Sequence, residues 1–277
     1  MSKKIEKVAI LGAGVMGAQI AAHLSNAGIS SLVFDMSQEL AEKGVAAAAK
    51  LKPAAFYNPK TIKLMTPCNY EEHLGKLSEV DWVVEVIAER LDWKQDLYKK
   101  IIPHLKKEAV LTSNTSGIAV KDLSASLSDD VKRRFFITHF FNPPRYMKLV
   151  EFIPGEKTDE KVIKNMALFM EDVLGKGVVY AKDTPNFVAN RIGVMGMMLT
   201  LKLAQKYRLN VSEVDSLTGG LIGHPKSATF RTADVVGLDT LAFVSNTAFE
   251  KCETDEVRDL FEVPSYLTTL IAEKRLG

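Results

Sequence analysis

Two groups of residues have types and spacings that could do chemistry, and the first is Gly12-Ala13-Gly14-Val15-Met16-Gly17. In a Gly-x-Gly-x-x-Gly turn the first glycine permits the tight bend. The second lets backbone approach a pyrophosphate, and the third allows close helix–strand packing. The amides at the helix start, including those of Val15 and Met16, favour a diphosphate. A structural turn can use the same residues, so context decides. Here an apolar run, Val8-Ala9-Ile10-Leu11, precedes the turn, a helical stretch follows, and a second strand, Leu32-Val33-Phe34, comes behind it. Asp35 closes that second strand. A carboxylate about 20 residues beyond the first glycine can accept both ribose hydroxyls and would repel a 2′-phosphate, which favours NAD over NADP. The competing reading of Asp35 is an ordinary capping or turn aspartate.

The second group lies mid-chain. Ser113-Asn114-Thr115-Ser116 follows an apolar strand, Thr138-His139-Phe140-Phe141-Asn142-Pro143-Pro144 ends the next, and Glu151 lies in the strand after that. Loops at the carboxyl ends of parallel strands line the ligand crevice of such folds. Imidazole titrates near neutrality, so His139 could take a proton from an alcohol as hydride leaves the carbon. A neighbouring carboxylate such as Glu151 would orient the ring. The alternatives are a satisfied core histidine and a charge at a sheet edge. Of the other four histidines, His23 reads as helix packing, His73 and His104 as surface residues, and His224 as a turn residue. No His/Cys/Asp cluster has zinc spacing, and hydride transfer needs no metal.

These residues require elements to hold them, and the hydrophobic periodicity supplies a doubly wound α/β pattern. Continuous apolar runs at 8–11, 32–34, 82–87, 109–112, 135–141, 149–153 and 177–180 predict strands, with Ile62–Met65 as a further one. Helices are predicted over 14–26 (ended by Gly28), 37–50 (capped by Ser37), 92–105, 120–127 and 159–174. In the 92–105 helix, Trp93, Leu97 and Ile101 form the apolar face. Asn69–Glu72 reads as a capping box for a turn or two. Past Asp183 the alternation stops. Helices are predicted over 187–206, from a Ser212 cap with Asp215 at N3, over 228–252 with a break near Gly237, and from Ser265. The boundary falls near Lys182, giving a Rossmann-like domain over 1–182 and an all-helical domain over 183–277 that serves substrate binding or dimerisation.

Composition bounds the function. With 277 residues, 47% hydrophobic and 25% charged, the chain reads as a soluble globular protein with two ordinary domains. A net charge of +2 gives no case for nucleic acid. Two scattered cysteines, Cys68 and Cys252, fit a reducing compartment, and the expected location is the cytoplasm. The first residues, Met1–Lys7, do not read as a signal peptide, and the apolar stretch 192–201 is too short to span a membrane.

At these positions the chain resembles the L-3-hydroxyacyl-CoA dehydrogenase family over nearly its whole length. The resemblance rests on the glycine turn, Val84-Glu85 through Glu89, Ser113–Ser116, His139–Pro143 and the Pro185–Arg191 segment, in that order. It implies NAD as cofactor and oxidation of an L-3-hydroxyacyl-CoA to the 3-ketoacyl-CoA in fatty-acid β-oxidation. His139 would be the base, paired with Glu151. Ser116 would hydrogen-bond the substrate oxygen, Asn190 would hold substrate and cofactor in register, and Asn142 would shape the oxygen environment. Glu89 and Lys94 match positions near the cofactor. A homodimer, or further domains of a multifunctional fatty-acid oxidation protein, are the partners implied. Two departures stand out. The segment 46–67 is shorter than the helical hairpin many members use in CoA binding. The chain also ends at Gly277, before the Gly-Phe-Tyr segment common in the family. Residues 223–234 look like the longer members, so an excised amino-terminal part is expected, with a naturally short chain as the alternative. Two other functions stay open: a dehydrogenase of a short hydroxy acid without CoA, and an NAD-binding fragment without turnover.

Overall fold

The computed structural model describes residues 5–277, so Met1–Lys4 of the leader expectation lie outside the described residues. Contacts divide the chain into two compact units, one ending at Thr184 and the other spanning Pro185–Gly277. The first unit is built on one eight-stranded sheet of order β3-β2-β1-β4-β5-β6-β7-β8. Its strands are β1 (Lys7–Leu11), β2 (Ser30–Asp35), β3 (Met65–Asn69), β4 (Trp82–Glu85), β5 (Val110–Ser113), β6 (Phe135–Phe140), β7 (Leu149–Pro154) and β8 (Gly177–Tyr180). The first six run parallel, β7 is antiparallel to β6, and β8 is parallel to β7. The inner strands are buried on both faces: every residue of β4 and β6 is buried, as their unbroken apolar runs require.

Helices cover the sheet: α1 (Val15–Asn26), α2 (Gln38–Ala48), α3 (Leu91–Ile101), the single turns α4 (Val120–Leu123) and α5 (Asp129–Lys132), and α6 (Glu160–Leu168). Ser37 caps α2 by accepting the Leu40 amide, and Gly28 takes φ +78° after α1, both as predicted. Helix α6 continues into a wider π turn, Phe169–Val173. The strand order reverses between β1 and β4, so the crevice for a ligand lies beyond their carboxyl ends.

Several expected elements shift. The third strand is Met65–Asn69; residues Pro59–Leu64 form a 3-10 helix whose Asn58 cap competes with extension. Its Pro67 is tolerated because β3 is an edge strand. Asn69 accepts the Glu71 and Glu72 amides, and the turn there leads into a 3-10 helix, Leu74–Glu79. The 120–127 helix is a single turn. The apolar face expected on α3 holds at Ile101, which is fully buried, but not at Trp93, which is 53% exposed; the other buried positions are Lys94 and Tyr98.

The second unit is helical: α7 (Ala189–Tyr207), α8 (Val211–Thr218), α9 (Phe230–Val236), α10 (Leu238–Lys251) and α11 (Ser265–Ala272). Val194, Met198 and Leu201 of α7 meet Leu238, Leu241 and Ala248 of α10, with Phe261 and Leu267, in its core. Helix α8 is capped not by Ser212 but by Asn210, which exchanges both capping-box bonds with Glu213. Gly237 separates α9 from α10 at φ +95°. No helix among the described residues is long and apolar enough to cross a membrane.

Beneath β6 and β7, Phe152 is fully buried, 5.1 Å from the Phe136 ring and 6.3 Å from that of Tyr180. Phe152→Ala is expected to cost about 3–5 kcal/mol. Urea denaturation followed by tryptophan fluorescence, with the midpoint unchanged for an exposed control, measures it.

Candidate active site

The site begins at the end of β1. The ladder continues past the strand ends: Gly12 N donates to Phe34 O and Val86 N to Leu11 O, each at 2.8 Å. The chain then turns at Gly12 with φ +114°, and a side chain there would meet the Val86 carbonyl. A Cβ on Gly17 would strike the Gly12 carbonyl, so α1 approaches its own strand as closely as backbone allows. A Cβ on Gly14, by contrast, would meet nothing within 4 Å. No side chain caps the first turn of α1. Exposed amides of a helix start, with open space over Gly14, form the cradle a diphosphate fits.

Asp35 stands at the end of β2 beside this turn. Its Oδ2 accepts the Ala13 amide at 2.9 Å and its Oδ1 the Met36 amide at 2.7 Å. The carboxylate is thus fixed against the glycine loop while staying half-exposed. Glycine loop, acid and open face fit the dinucleotide that the sequence implies.

The next wall is organised by Glu85, the last residue of β4, which is fully buried. Its Oε1 accepts from Lys94 Nζ at 2.6 Å and the Ile87 amide at 2.8 Å. Its Oε2 accepts from Ser113 Oγ at 2.6 Å and Tyr98 Oη at 2.9 Å. Burial, then the Glu85 charge, pushes the Tyr98 hydroxyl pKa well up, so it remains a donor. This explains the unexpected face of α3: a buried carboxylate draws Lys94 and Tyr98 inward. Lys94, 1% exposed, also donates to Ile87 O at 3.3 Å and lies 3.5 Å from Glu89. Glu89 in turn accepts from Thr115 Oγ1 and from the amides of Ser116 and Gly117, at 3.0 and 2.9 Å. Lys94 therefore meets the loop only through carboxylates, and Glu89 places Ser116.

The third wall is the end of β6. His139 and Glu151 are directly opposed across the antiparallel β6–β7 pair, and His139 Nδ1 lies 2.8 Å from Glu151 Oε2. Glu151 is fully buried and His139 is 5% exposed, with the Phe141 ring 4.5 Å away. Such a carboxylate fixes the ring and stabilises its cation when it gains a proton. Asn142, in the loop beyond, accepts from Gln19 Nε2 of α1 at 3.0 Å. Asn114 Oδ1 accepts the Phe140 amide at 2.9 Å and so joins the Ser116 loop to the His139 strand. Neither Gln19 nor Asn114 was singled out from sequence. Asn114 sits inside a motif already noted, but a buried glutamine in a helix gives no sequence signal. His23 lies in the same helix, 3.1 Å from Leu174 O; burial first, then Lys176, lowers its pKa to about 4. A cleft of about 370 Å³ bounded by Val120, Phe135, Pro154 and Asp183 opens at the other end of β6, away from this dyad.

The glycine turn, Asp35, Glu89, Ser116, His139 and Glu151 thus all belong to the end of the sheet where the parallel strands finish. Asn190 belongs to the second unit. There Asn186 and Phe187 adopt φ of 62° and 50°, Asn186 Nδ2 donates to Val244 O at 2.8 Å, and Arg191 pairs with Asp255. These contacts fix the start of α7 and leave Asn190 half-exposed on its first turn.

The family model described as "3-hydroxyacyl-CoA dehydrogenase, NAD binding domain" matches residues 7–184, and the one described as "3-hydroxyacyl-CoA dehydrogenase, C-terminal domain" matches residues 187–277. A probable 3-hydroxyacyl-CoA dehydrogenase of Bacillus subtilis is 44% identical over all of this chain, which spans 38% of that protein's length. One of Deinococcus radiodurans is 49% identical over 87% of this chain and 72% of its own. The crystal structure of (S)-3-hydroxybutyryl-CoA dehydrogenase PaaH1 from Ralstonia eutropha superposes with a TM-score of 0.84 at 27% identity, covering 99% of this chain and 96% of that one.

The buried Glu85–Lys94 pair gives a direct test of this construction. Lys94→Met is expected to cost about 3–5 kcal/mol, because it strands a buried carboxylate. Adding Glu85→Gln should recover part of that loss in equilibrium denaturation. Equal, additive losses in the two single variants and the double would count against a coupled pair.

Proposed function

The chain belongs to the 3-hydroxyacyl-CoA dehydrogenase family, and on that premise we propose that it oxidises L-3-hydroxyacyl-CoA thioesters to 3-ketoacyl-CoA, and reverses that reaction. The observation that carries the proposal is the cross-strand dyad, His139 Nδ1 at 2.8 Å from a fully buried Glu151, at the carboxyl end of β6 in an NAD-binding fold.

NAD, when bound, supplies the hydride acceptor for C3 of the substrate. The amides of Gly14, Val15 and Met16 and the open face over Gly14 hold its diphosphate, Gly12 and Gly17 shape that turn, and Asp35 takes the ribose hydroxyls. Glu89, exposed, and the buried Lys94 behind it line the approach as a charge pair that fixes the Ser116 loop. His139 accepts the 3-hydroxyl proton at Nε2 while its Nδ1 stays with Glu151, so the developing imidazolium faces a carboxylate. Ser116 donates to the substrate oxygen, where charge builds as the O–H bond breaks. Asn142, held by Gln19, shapes the oxygen environment, and Asn190 holds substrate and cofactor in register. In the reducing direction the same imidazolium returns its proton to the oxygen.

Fatty-acid β-oxidation in the cytoplasm is the setting we propose, with the second unit serving substrate binding or dimer formation. Buried free Cys68 and Cys252 suit a reducing compartment. Further domains of a multifunctional fatty-acid oxidation protein are proposed partners, since this chain spans only part of the Bacillus subtilis relative.

The decisive assay is NADH consumption with 3-ketoacyl-CoA substrates of increasing chain length, beside the free keto acids. Turnover of the thioesters alone is expected; reduction of free acids alone, or NADH binding without turnover, would overturn the reading. His139→Gln should reduce kcat by about 10²–10⁴-fold with NADH affinity nearly unchanged. Asp35→Ala should weaken NAD far more than NADP in a fluorescence titration, and equal losses would show that Asp35 does not read the ribose.

A further inference from the structure

The loop that carries the chain from His139 back to Glu151 spans residues 141–148 and contains Pro143 and Pro144, which have no N–H to offer. Its own bonds are few: the amides of Tyr146 and Met147 both reach Pro143 O at 3.0 Å. Two of its carbonyls, those of Pro144 and Met147, point at one atom, Lys176 Nζ, which donates to both, to Met147 O at 2.9 Å. Lys176 is 6% exposed and its ammonium lies 5.6 Å from the Phe140 ring centre. Its backbone is also fixed, with Lys176 N on Met170 O and the next amide, Gly177 N, on Lys148 O.

Convergent carbonyls need several donors from one point, which an ammonium has. Burying it without a carboxylate is costly, and among the described residues none pairs with it. The charged or titratable groups facing this cluster are His23 from α1 and Arg145 from the loop itself, while His139 and Glu151 lie on the strands that enter and leave the loop. His23, with its pKa lowered to about 4, is neutral at working pH and adds no second cation.

We propose that Lys176 is a positioning residue for proton transfer at His139: its buried ammonium pins the 141–148 loop, and with it the geometry of the His139–Glu151 hairpin. The proposal rests on the reading of His139 as the base. Burial alone lowers the Lys176 pKa to about 8. The charge is therefore present below that pH and is lost as pH rises through it, weakening both bonds to the loop.

The test uses the whole chain and saturating NAD with L-3-hydroxybutyryl-CoA, the direction in which His139 acts as a base and adds no alkaline limb of its own. Lys176→Met should lower kcat by about 10- to 100-fold, as misplacement of a reacting group does, with NADH affinity within about twofold of wild type. Hydrogen exchange should show the Tyr146 and Met147 amides losing protection. Wild-type kcat should fall on the alkaline side near pH 8, and Lys176→Arg, which keeps its charge, should move that fall up by more than one pH unit. Wild-type kcat and loop protection in Lys176→Met, or an unmoved alkaline limb in Lys176→Arg, overturns the proposal. Should Lys176→Met fail to fold, the arginine variant's pH profile decides alone. Wild-type turnover by His139→Gln would instead overturn the reading of the base, so the two failures are distinct.

Discussion

A carboxylate buried at the end of β4 is the constraint around which this site is arranged. Glu85 has no exposure to water, and an unpaired ion there would cost several kcal/mol. Four donors answer it: Lys94 and Tyr98 from α3, Ser113 from β5 and the Ile87 amide from the following loop. Each donor comes from a segment that must be correctly placed for a ligand to bind at the point where the strand order reverses. The charge on Lys94 is shared with Glu89, and Glu89 gathers the Thr115–Gly117 backbone. A core ion pair is thus converted into the placement of a half-exposed serine on another loop. Replacing the pair by apolar groups of equal volume could hold the sheet together but could not hold that loop, because the loop is bound through charge-assisted bonds.

The same device recurs twice more in the sheet, at the end of β2 and within β7, with different exposure. Asp35 is half-exposed and accepts only two backbone amides, so it retains acceptor capacity toward a ligand. Glu151 is as buried as Glu85 but faces an imidazole instead of an ammonium. That difference decides what each acid can do. An ammonium partner gives a permanent pair and a fixed structure, whereas an imidazole partner leaves one proton to be gained and lost. Antiparallel pairing is what makes the second case geometrically simple. His139 and Glu151 occupy one register position on adjacent strands, so their side chains share a face without help from a helix.

The sheet was legible because parallel strands buried on both faces leave unbroken apolar runs, and seven of the eight were read near their true positions. The glycine turn and Asp35 were legible because their spacing is set by a strand and a helix of nearly fixed length. Ile62–Met65 misled because its apolar content suits a 3-10 turn as well as a strand, and only the pairing of Met65–Asn69 with β2 decides. Trp93 misled for a different reason. Periodicity assigns the buried face of a helix by hydrophobicity, and α3 instead turns toward Glu85, which pulls a lysine and a tyrosine inward. Gln19 and Lys176 were missed on similar grounds. Each is a polar residue whose importance lies in what its side chain meets across the fold, and local sequence carries no record of that.

The loop after His139 shows how such residues act together. A segment rich in proline cannot satisfy its own carbonyls, so neighbours must supply donors. Lys176 does so from the strand side, while Gln19 of α1 holds the loop by donating to the Asn142 side-chain oxygen. From the third side, Arg145 reaches out of the loop to the carbonyls of Ala54 and Phe56, with its guanidinium 3.9 Å from the Tyr57 ring. Residues 54–57 belong to the connection between α2 and β3. Because Arg145 ties that segment to the loop after His139, a change of length there would reach the His139–Glu151 pair through backbone carbonyls. Length variation in this region and precision at His139 are therefore mechanically coupled in this chain, through one guanidinium held between two loops.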